Sequence, residues 1–264
     1  MQIWDWKKAQ QIGEFETILD FGGRRLLLAS DGSICVTGSW RRGLAAYSLP
    51  DGACLRKRPE LVQIQLLTWS ASGREVNCGF EKRSLAVIDA RTGNTLSTMK
   101  NALRVFSSRY SSSELVQERE RYRLVGEYTF EIPAMSFGIL DAAFSSDAVC
   151  ISEPKTGIRC IKLDSGEQLW HHSDLWSNHL AFCASDHNFY GAVMMNTPPH
   201  NCSLVRLAPK LVDCAQVAFV GLCWEAAFSD SGNFFVTRRG DVYATSNGRL
   251  LSELDFPQGD YPDR

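Results

Sequence analysis

A short phrase returns down this chain at a spacing of about 40 residues: an apolar strand that ends in a turn of Ser, Asp and Gly. It reads Leu27-Leu28-Ala29-Ser30-Asp31-Gly32, then Leu67-Thr68-Trp69-Ser70-Ala71-Ser72-Gly73. It returns at Ala142 to Asp147, at Ala181 to Asp186 and at Ala226 to Gly232. A period of that length with β-type composition specifies one closed array of repeats rather than a string of unrelated domains.

A second phrase runs out of phase with the first. Leu85 to Leu96 is its clearest copy, and Leu44 to Leu55 matches it 41 residues earlier. Ile161 to Trp170 and Val242 to Leu251 are further copies, with weaker ones at Leu124 to Glu127 and Leu204 to Leu207. Each is a strand, a turn and a strand. Asp51-Gly52, Thr92-Gly93, Ser165-Gly166 and Asn247-Gly248 supply the positive φ that a short hairpin turn requires.

Joined, the two phrases give a four-stranded unit, a to d, and six such units fit between about Phe21 and Phe256. A four-stranded meander repeated radially is a β-propeller blade, whose inner strands must pack against neighbouring blades. Phe144 and Phe228 are expected to fill the space between blades. Ile3 to Phe15 has the c–turn–d shape, aligns with Val87 to Leu96 and precedes the first full unit. The expectation is an all-β propeller over residues 1–264 as one domain. Seven blade positions are favoured, with one incomplete; six blades with the hairpin outside the ring is the alternative. The polar segment Pro257 to Arg264 reads as too short for another a–b pair. An unclosed blade exposes a strand edge that a partner strand can cover.

Hydrophobic residues make up 44% of the chain and the net charge is −2, so nothing global favours nucleic acid. No run reaches the roughly 18 apolar residues of a membrane-spanning helix, and no secretory signal opens the sequence. Nine cysteines are present: Cys35, Cys54, Cys78, Cys150, Cys160, Cys183, Cys202, Cys214 and Cys223. Most fall in apolar β-like runs, where a thiol behaves as a small hydrophobe. They read as reduced, and a cytoplasmic location is expected.

Two places break the regularity. Glu114 to Arg123 in the third unit alternates acidic and basic residues, as a solvated strand or loop with cross-strand ion pairs would. Met194 to Asn201 in the fifth unit inserts a loop with Pro198-Pro199.

His171, His172, Asp174 and His179 carry metal-ligand chemistry. Neighbouring residues His171 and His172 point to opposite faces of a strand, so no metal site is expected. Neither a phosphate loop nor a Gly-x-Ser-x-Gly elbow is present, and no cofactor is expected. Arg41-Arg42, Lys82-Arg83 and Arg238-Arg239 fall in the b–c connections of three units. Equivalent connections share one face of the ring, so this spacing gathers positive charge on one rim. Arg supplies directed hydrogen bonds there and Trp40 an aromatic neighbour.

The chain resembles WD40-type propeller proteins over nearly its whole length. Ile3-Trp4-Asp5-Trp6 is similar to the strand ending that names the family, and Ser30-Asp31-Gly32 and Asp230-Ser231-Gly232 to its turns. The family's Gly-His pair is absent. Asp164 to Trp170 is similar to the repeat of quinoprotein-type propellers. The resemblance implies a non-enzymatic platform or complex subunit that binds protein on a propeller face. The expected partner is another protein or an acidic peptide segment, neither membrane nor nucleic acid. The expected contact residues are Trp40, Arg41, Arg42, Lys82, Arg83, Arg238 and Arg239. Two alternatives stand beside this: a toxin-neutralising inhibitor, and a propeller enzyme or small-molecule or metal binder.

Overall fold

The computed structural model describes residues 1–18, 26–29, 31–70, 72–80, 84–108, 110–118, 121–134, 138–195, 202–215, 226–229, 231–237 and 240–254. They form six four-stranded antiparallel sheets and one two-stranded hairpin. Blade 1 is Leu26–Leu28, Ile34–Ser39, Gly43–Ser48 and Cys54–Arg58. Blade 2 is Ile64–Trp69, Glu75–Phe80, Ser84–Asp89 and Thr95–Lys100. Blade 3 is Arg104–Phe106, Glu114–Gln117, Arg121–Val125 and Phe130–Pro133. Blade 4 is Asp141–Phe144, Ala148–Glu153, Gly157–Lys162 and Gln168–His172. Blade 5 is Leu175–Cys183, Asn188–Met195, Cys202–Leu207 and Val212–Ala215. Blade 6 is Ala226–Phe228, Phe234–Thr237, Asp241–Ala244 and Leu250–Glu253. The hairpin is Gln2–Asp5 with Gln10–Glu14.

Every blade is a meander in chain order, a beside b beside c beside d. In blade 4 strands b and c, Ala148–Glu153 and Gly157–Lys162, are nearly all buried, whereas strands d such as Cys54–Arg58 and Thr95–Lys100 face solvent. Five apolar clusters join blade 1 to 2, 2 to 3, 3 to 4, 4 to 5 and 5 to 6. Phe144 sits in the cluster between blades 3 and 4 with Leu115, Tyr122, Leu124 and Ile132 of blade 3. Burying a side chain of that size stabilises by roughly 1.5–3 kcal/mol. The blades are therefore held by each other more than by their own interiors. Phe228 packs against the cluster that joins blades 5 and 6, with its ring centroid 4.9 Å from that of Phe235 in its own blade.

The c–d turns repeat one design. Gly52, Gly93, Gly166 and Gly248 all have positive φ, between 64° and 73°. In blade 2 the Asp89 carboxylate accepts the N–H groups of Arg91 and Thr92 at 3.0 and 2.6 Å. These bonds and the Thr92 hydroxyl hold that carboxyl below its ordinary range. The hairpin uses the same turn. Asp5 accepts from Lys7 and Lys8 at 3.0 and 3.3 Å, and Ala9 takes the positive φ, 47°, that Gly93 takes in blade 2. The hairpin is thus a c–d pair by its local chemistry, as its sequence alignment predicts.

Its place in the ring follows from its contacts. Phe15 lies 5.3 Å from the Tyr47 ring of blade 1, and the Tyr47 hydroxyl accepts the Ile18 N–H at 3.1 Å. Trp6 lies 4.6 Å from the Phe234 ring of blade 6. The hairpin sits between the last blade and the first, in a seventh, two-stranded position.

Two expectations on the irregular units sharpen here. Glu114–Gln117 is strand b of blade 3, with Leu115 and Val116 in the core. Arg121 pairs with Glu118 and Glu131 at 2.6 and 2.5 Å, and Arg123 with Glu118 at 3.2 Å. The charge alternation is therefore a network of surface ion pairs. The Met194 to Asn201 insertion begins at the end of strand b of blade 5, and residues 196–201 lie outside the described residues.

Candidate interaction face

In an antiparallel meander the b–c and d–a connections share one face of the ring. The a–b and c–d turns share the other. Trp40, Arg41 and Arg42 form the b–c loop of blade 1, between Ile34–Ser39 and Gly43–Ser48. The loop is built to hold its side chains outward. The Ser39 hydroxyl accepts the N–H of Arg41 at 3.1 Å and of Arg42 at 2.8 Å. The Trp40 carbonyl accepts from Gln63, in the connection to blade 2, at 2.8 Å. Gly43 closes the loop at φ 87°, where a Cβ would stand 2.2 Å from the Arg58 carbonyl oxygen. Trp40 is half-buried, while Arg41 and Arg42 are exposed.

Lys82 and Arg83 fall between strands b and c of blade 2, and Arg238 and Arg239 between those of blade 6, as the sequence spacing requires. All four lie outside the described residues. Arg56, Lys57 and Arg58, a further basic run, belong to strand d of blade 1. Arg58 spends its guanidinium on the Gly93 carbonyl, the Thr95 hydroxyl at 3.3 Å and the Glu60 carboxylate. It closes a small crevice between blades 1 and 2 lined by Val36, Leu44, Val76 and Ile88.

Sequence reasoning missed Lys155, exposed in the b–c loop of blade 4 at φ 65°. It is a single cation, where the b–c connections of blades 1, 2 and 6 carry pairs, so a search for basic pairs passes over it. The b–c end of blade 3 differs, because Glu118 neutralises Arg121 and Arg123 there.

The histidines are engaged in the framework. His171 Nε2 lies 2.7 Å from the Thr156 carbonyl oxygen and His172 Nε2 lies 2.8 Å from that of Ala208 in blade 5. Their opposite destinations follow from strand alternation. Among the described residues no cluster of His, Cys, Asp and Glu has the arrangement of a metal site. Burial pushes the thiols of Cys78 and Cys160 up to about 12 and that of Cys35 to about 11. Burial also raises the Cys150 thiol well above its ordinary range, with neighbouring Cys160 adding to it. Such thiols are poor nucleophiles at neutral pH. No helix among the described residues is long and apolar enough to cross a membrane.

The opposite face carries a contact that no local sequence pattern announces. Tyr110, in the a–b loop of blade 3, meets Phe182 of blade 5 edge-on at 5.2 Å, past the intervening blade 4.

This architecture defines a β-propeller. No family model matches the chain, and no curated protein matches it by sequence. Among solved structures it is similar to the β-propeller domain of Cps50 (Swd1) from Myceliophteria thermophila, with a TM-score of 0.63 and 14% identity. The alignment covers 92% of this chain and 90% of that one. In all, 1381 solved chains match, so the likeness fixes the fold and leaves the task to be argued from the surface.

Proposed function

We propose that the chain works as one non-catalytic interaction platform of the cytoplasm, a subunit that holds another protein on its b–c face. The WD40-type resemblance of its motifs and the propeller fold it shares with the Cps50 (Swd1) domain support a protein-binding role. The observation that carries the assignment is the blade 1 loop. Ser39 holds the backbone of Arg41 and Arg42 by two hydrogen bonds, and both arginines are exposed on this rigid loop. Paired guanidiniums on a rigid loop suit the carboxylates of an acidic peptide segment, with Trp40 as a flat apolar neighbour. By their place in the sequence, Lys82, Arg83, Arg238 and Arg239 fall in the b–c connections of blades 2 and 6, which share this face.

The test is capture. The purified chain and its Arg42→Glu, Arg83→Glu, Arg238→Glu triple variant are used to recover partners from the native cells at low salt. The triple variant is expected to lose the acidic partner while its circular dichroism and melting curve stay unchanged. Undiminished capture by a folded triple variant overturns the assignment of this face.

A further inference from the structure

Cys150 and Cys160 oppose each other across the middle of blade 4. Cys150 lies in strand b, Ala148–Glu153, and Cys160 in strand c, Gly157–Lys162, and the register makes them direct partners. Their backbone groups point away from one another. At the end of this ladder the Leu163 N–H bonds to the Asp147 carbonyl at 2.8 Å. Bonded and unbonded pairs alternate along an antiparallel ladder. Cys150 and Cys160 stand three steps from that bonded pair, so theirs is an unbonded one. Strand a agrees: the Ser145 N–H bonds to the Ala148 carbonyl at 2.9 Å, so alternation turns the backbone groups of Ala148 and Cys150 toward strand a. In an unbonded pair the Cα atoms stand about 4.5 Å apart and the side chains share one face. A disulfide spans Cα separations of about 4.4–6.8 Å, so this site falls at the short end of the range. Both side chains enter the apolar cluster that joins blades 4 and 5, with Ile158, Leu175 and Val205, and are 0% and 2% exposed. Both thiols are free in this structure. Among the described residues no other two cysteines are register partners. Cys35 and Cys54 pair with Tyr47, Cys78 with Leu67 and Ala86, Cys183 with Asn188 and Cys202 with Met194.

We propose that Cys150 and Cys160 are the site of a reversible disulfide, formed by exchange with a small disulfide such as oxidised glutathione. One protein thiolate attacks a glutathione sulfur and releases a glutathione thiolate. The second protein thiolate attacks the mixed disulfide and releases the other. Two protein S–H bonds and one glutathione S–S bond are lost. One protein S–S bond and two glutathione S–H bonds are gained, and two electrons pass from the protein to glutathione. The site makes this bond labile rather than permanent, because a bridge at the short end of its range is strained and strained bridges are the more readily reduced. The site also sets when the bond forms. Burial raises both thiols, so the closed ring presents almost no thiolate. Exchange therefore waits for blades 4 and 5 to part. Once made, the bond ties the two strands that carry the Lys155 loop and stiffens that hairpin.

The test is a redox titration of the full chain. The folded protein is held in glutathione buffers graded from reducing to oxidising, in urea below its unfolding transition so that local opening is frequent, until linkage no longer changes. Exchange is stopped with acid, free thiols are alkylated after denaturation, and the unreduced peptides are mapped by mass spectrometry. The oxidising buffers are expected to give a peptide linked through Cys150 and Cys160, lighter by two hydrogens, with alkylation lost from both positions together. The reducing buffers should restore alkylation at both. Amides of Ala148–Glu153 and Gly157–Lys162 should exchange about tenfold or more slowly in the linked form. Full alkylation of both cysteines at the most oxidising ratio overturns the site, as does a link from either one to a different cysteine. A link that survives the most reducing ratio overturns its reversibility, and equal amide exchange in the two forms overturns the stiffening of the hairpin.

Discussion

Glu153 and Arg159 form a buried ion pair at the junction of blades 3 and 4, and removing one of them should be among the costliest changes in this chain. Their side chains are 1% and 5% exposed, and Arg159 Nε lies 2.8 Å from Glu153 Oε2. The pair is not isolated. Tyr122 of blade 3 donates its hydroxyl to Glu153 Oε1 at 2.9 Å, and Arg159 Nη2 donates to the Pro133 carbonyl at 2.7 Å. Arg159→Met removes the guanidinium and strands a carboxylate in the interior. Breaking one side of a buried pair costs about 3–5 kcal/mol, whereas replacing both members by apolar groups is often neutral or favourable. The double variant Glu153→Leu, Arg159→Met should therefore recover most of the loss. Tyr122→Phe removes one bond to a charged group and should cost about 1.5–3 kcal/mol. Urea unfolding of these three variants, of Glu153→Leu alone and of the unmodified chain measures these terms, and the double variant closes a mutant cycle. For a chain of this size, about 3 kcal/mol also appears as a fall of roughly 6–12 °C in melting temperature. A loss under about 1 kcal/mol for Arg159→Met, with additive effects in the double variant, refutes the argument. It would mean that water reaches the pair and that the blade 3 contacts carry no share of the interface.

The c–d turn offers a pair of changes with opposite signs. Gly93→Ala forces a side chain into φ 72°, with Arg56 no nearer than 3.7 Å to the new Cβ, so conformational strain of about 1 kcal/mol is the whole cost. Ala9→Gly relieves the same strain at φ 47° and should stabilise by up to about 1 kcal/mol; urea unfolding reads both. Alkylation of the native protein with iodoacetamide at pH 7.5, read by peptide mass spectrometry, should label exposed Cys54. It should leave Cys35, Cys78, Cys150 and Cys160 unlabelled, because burial removes access and raises each thiol. Labelling of Cys150 at the rate of Cys54 would show that blade 4 opens.

The fold was legible because a propeller writes itself in local chemistry. Positive-φ glycines at Gly52, Gly93, Gly166 and Gly248 mark strand ends within a few residues, and alternation sets the faces of the strands between them. Even the incomplete blade was readable, since Asp5 builds the turn that Asp89 builds. Apart from Phe144 and Phe228, contacts between blades were not. Glu153 and Arg159 look like ordinary surface residues in sequence, and only the ring places Tyr122 against them. The meeting of Tyr110 with Phe182 has the same origin. Of the proposed basic face, the paired cations at Arg41-Arg42 stand out in sequence, whereas Lys155 needs the loop geometry to join them. A partner's identity has no pattern to leave here, because its sequence lies outside this chain.

The proposed b–c face acts on one step of binding more than on the other. Exposed guanidiniums at Arg41 and Arg42 steer encounter with an acidic segment and make the association rate fall with salt. Charge reversal at the face should thus weaken capture most at the association step and least at high salt. Stopped-flow or surface-binding kinetics over a salt series reads this directly: a variant whose whole loss lies in the dissociation rate, unchanged by salt, refutes electrostatic steering by this loop.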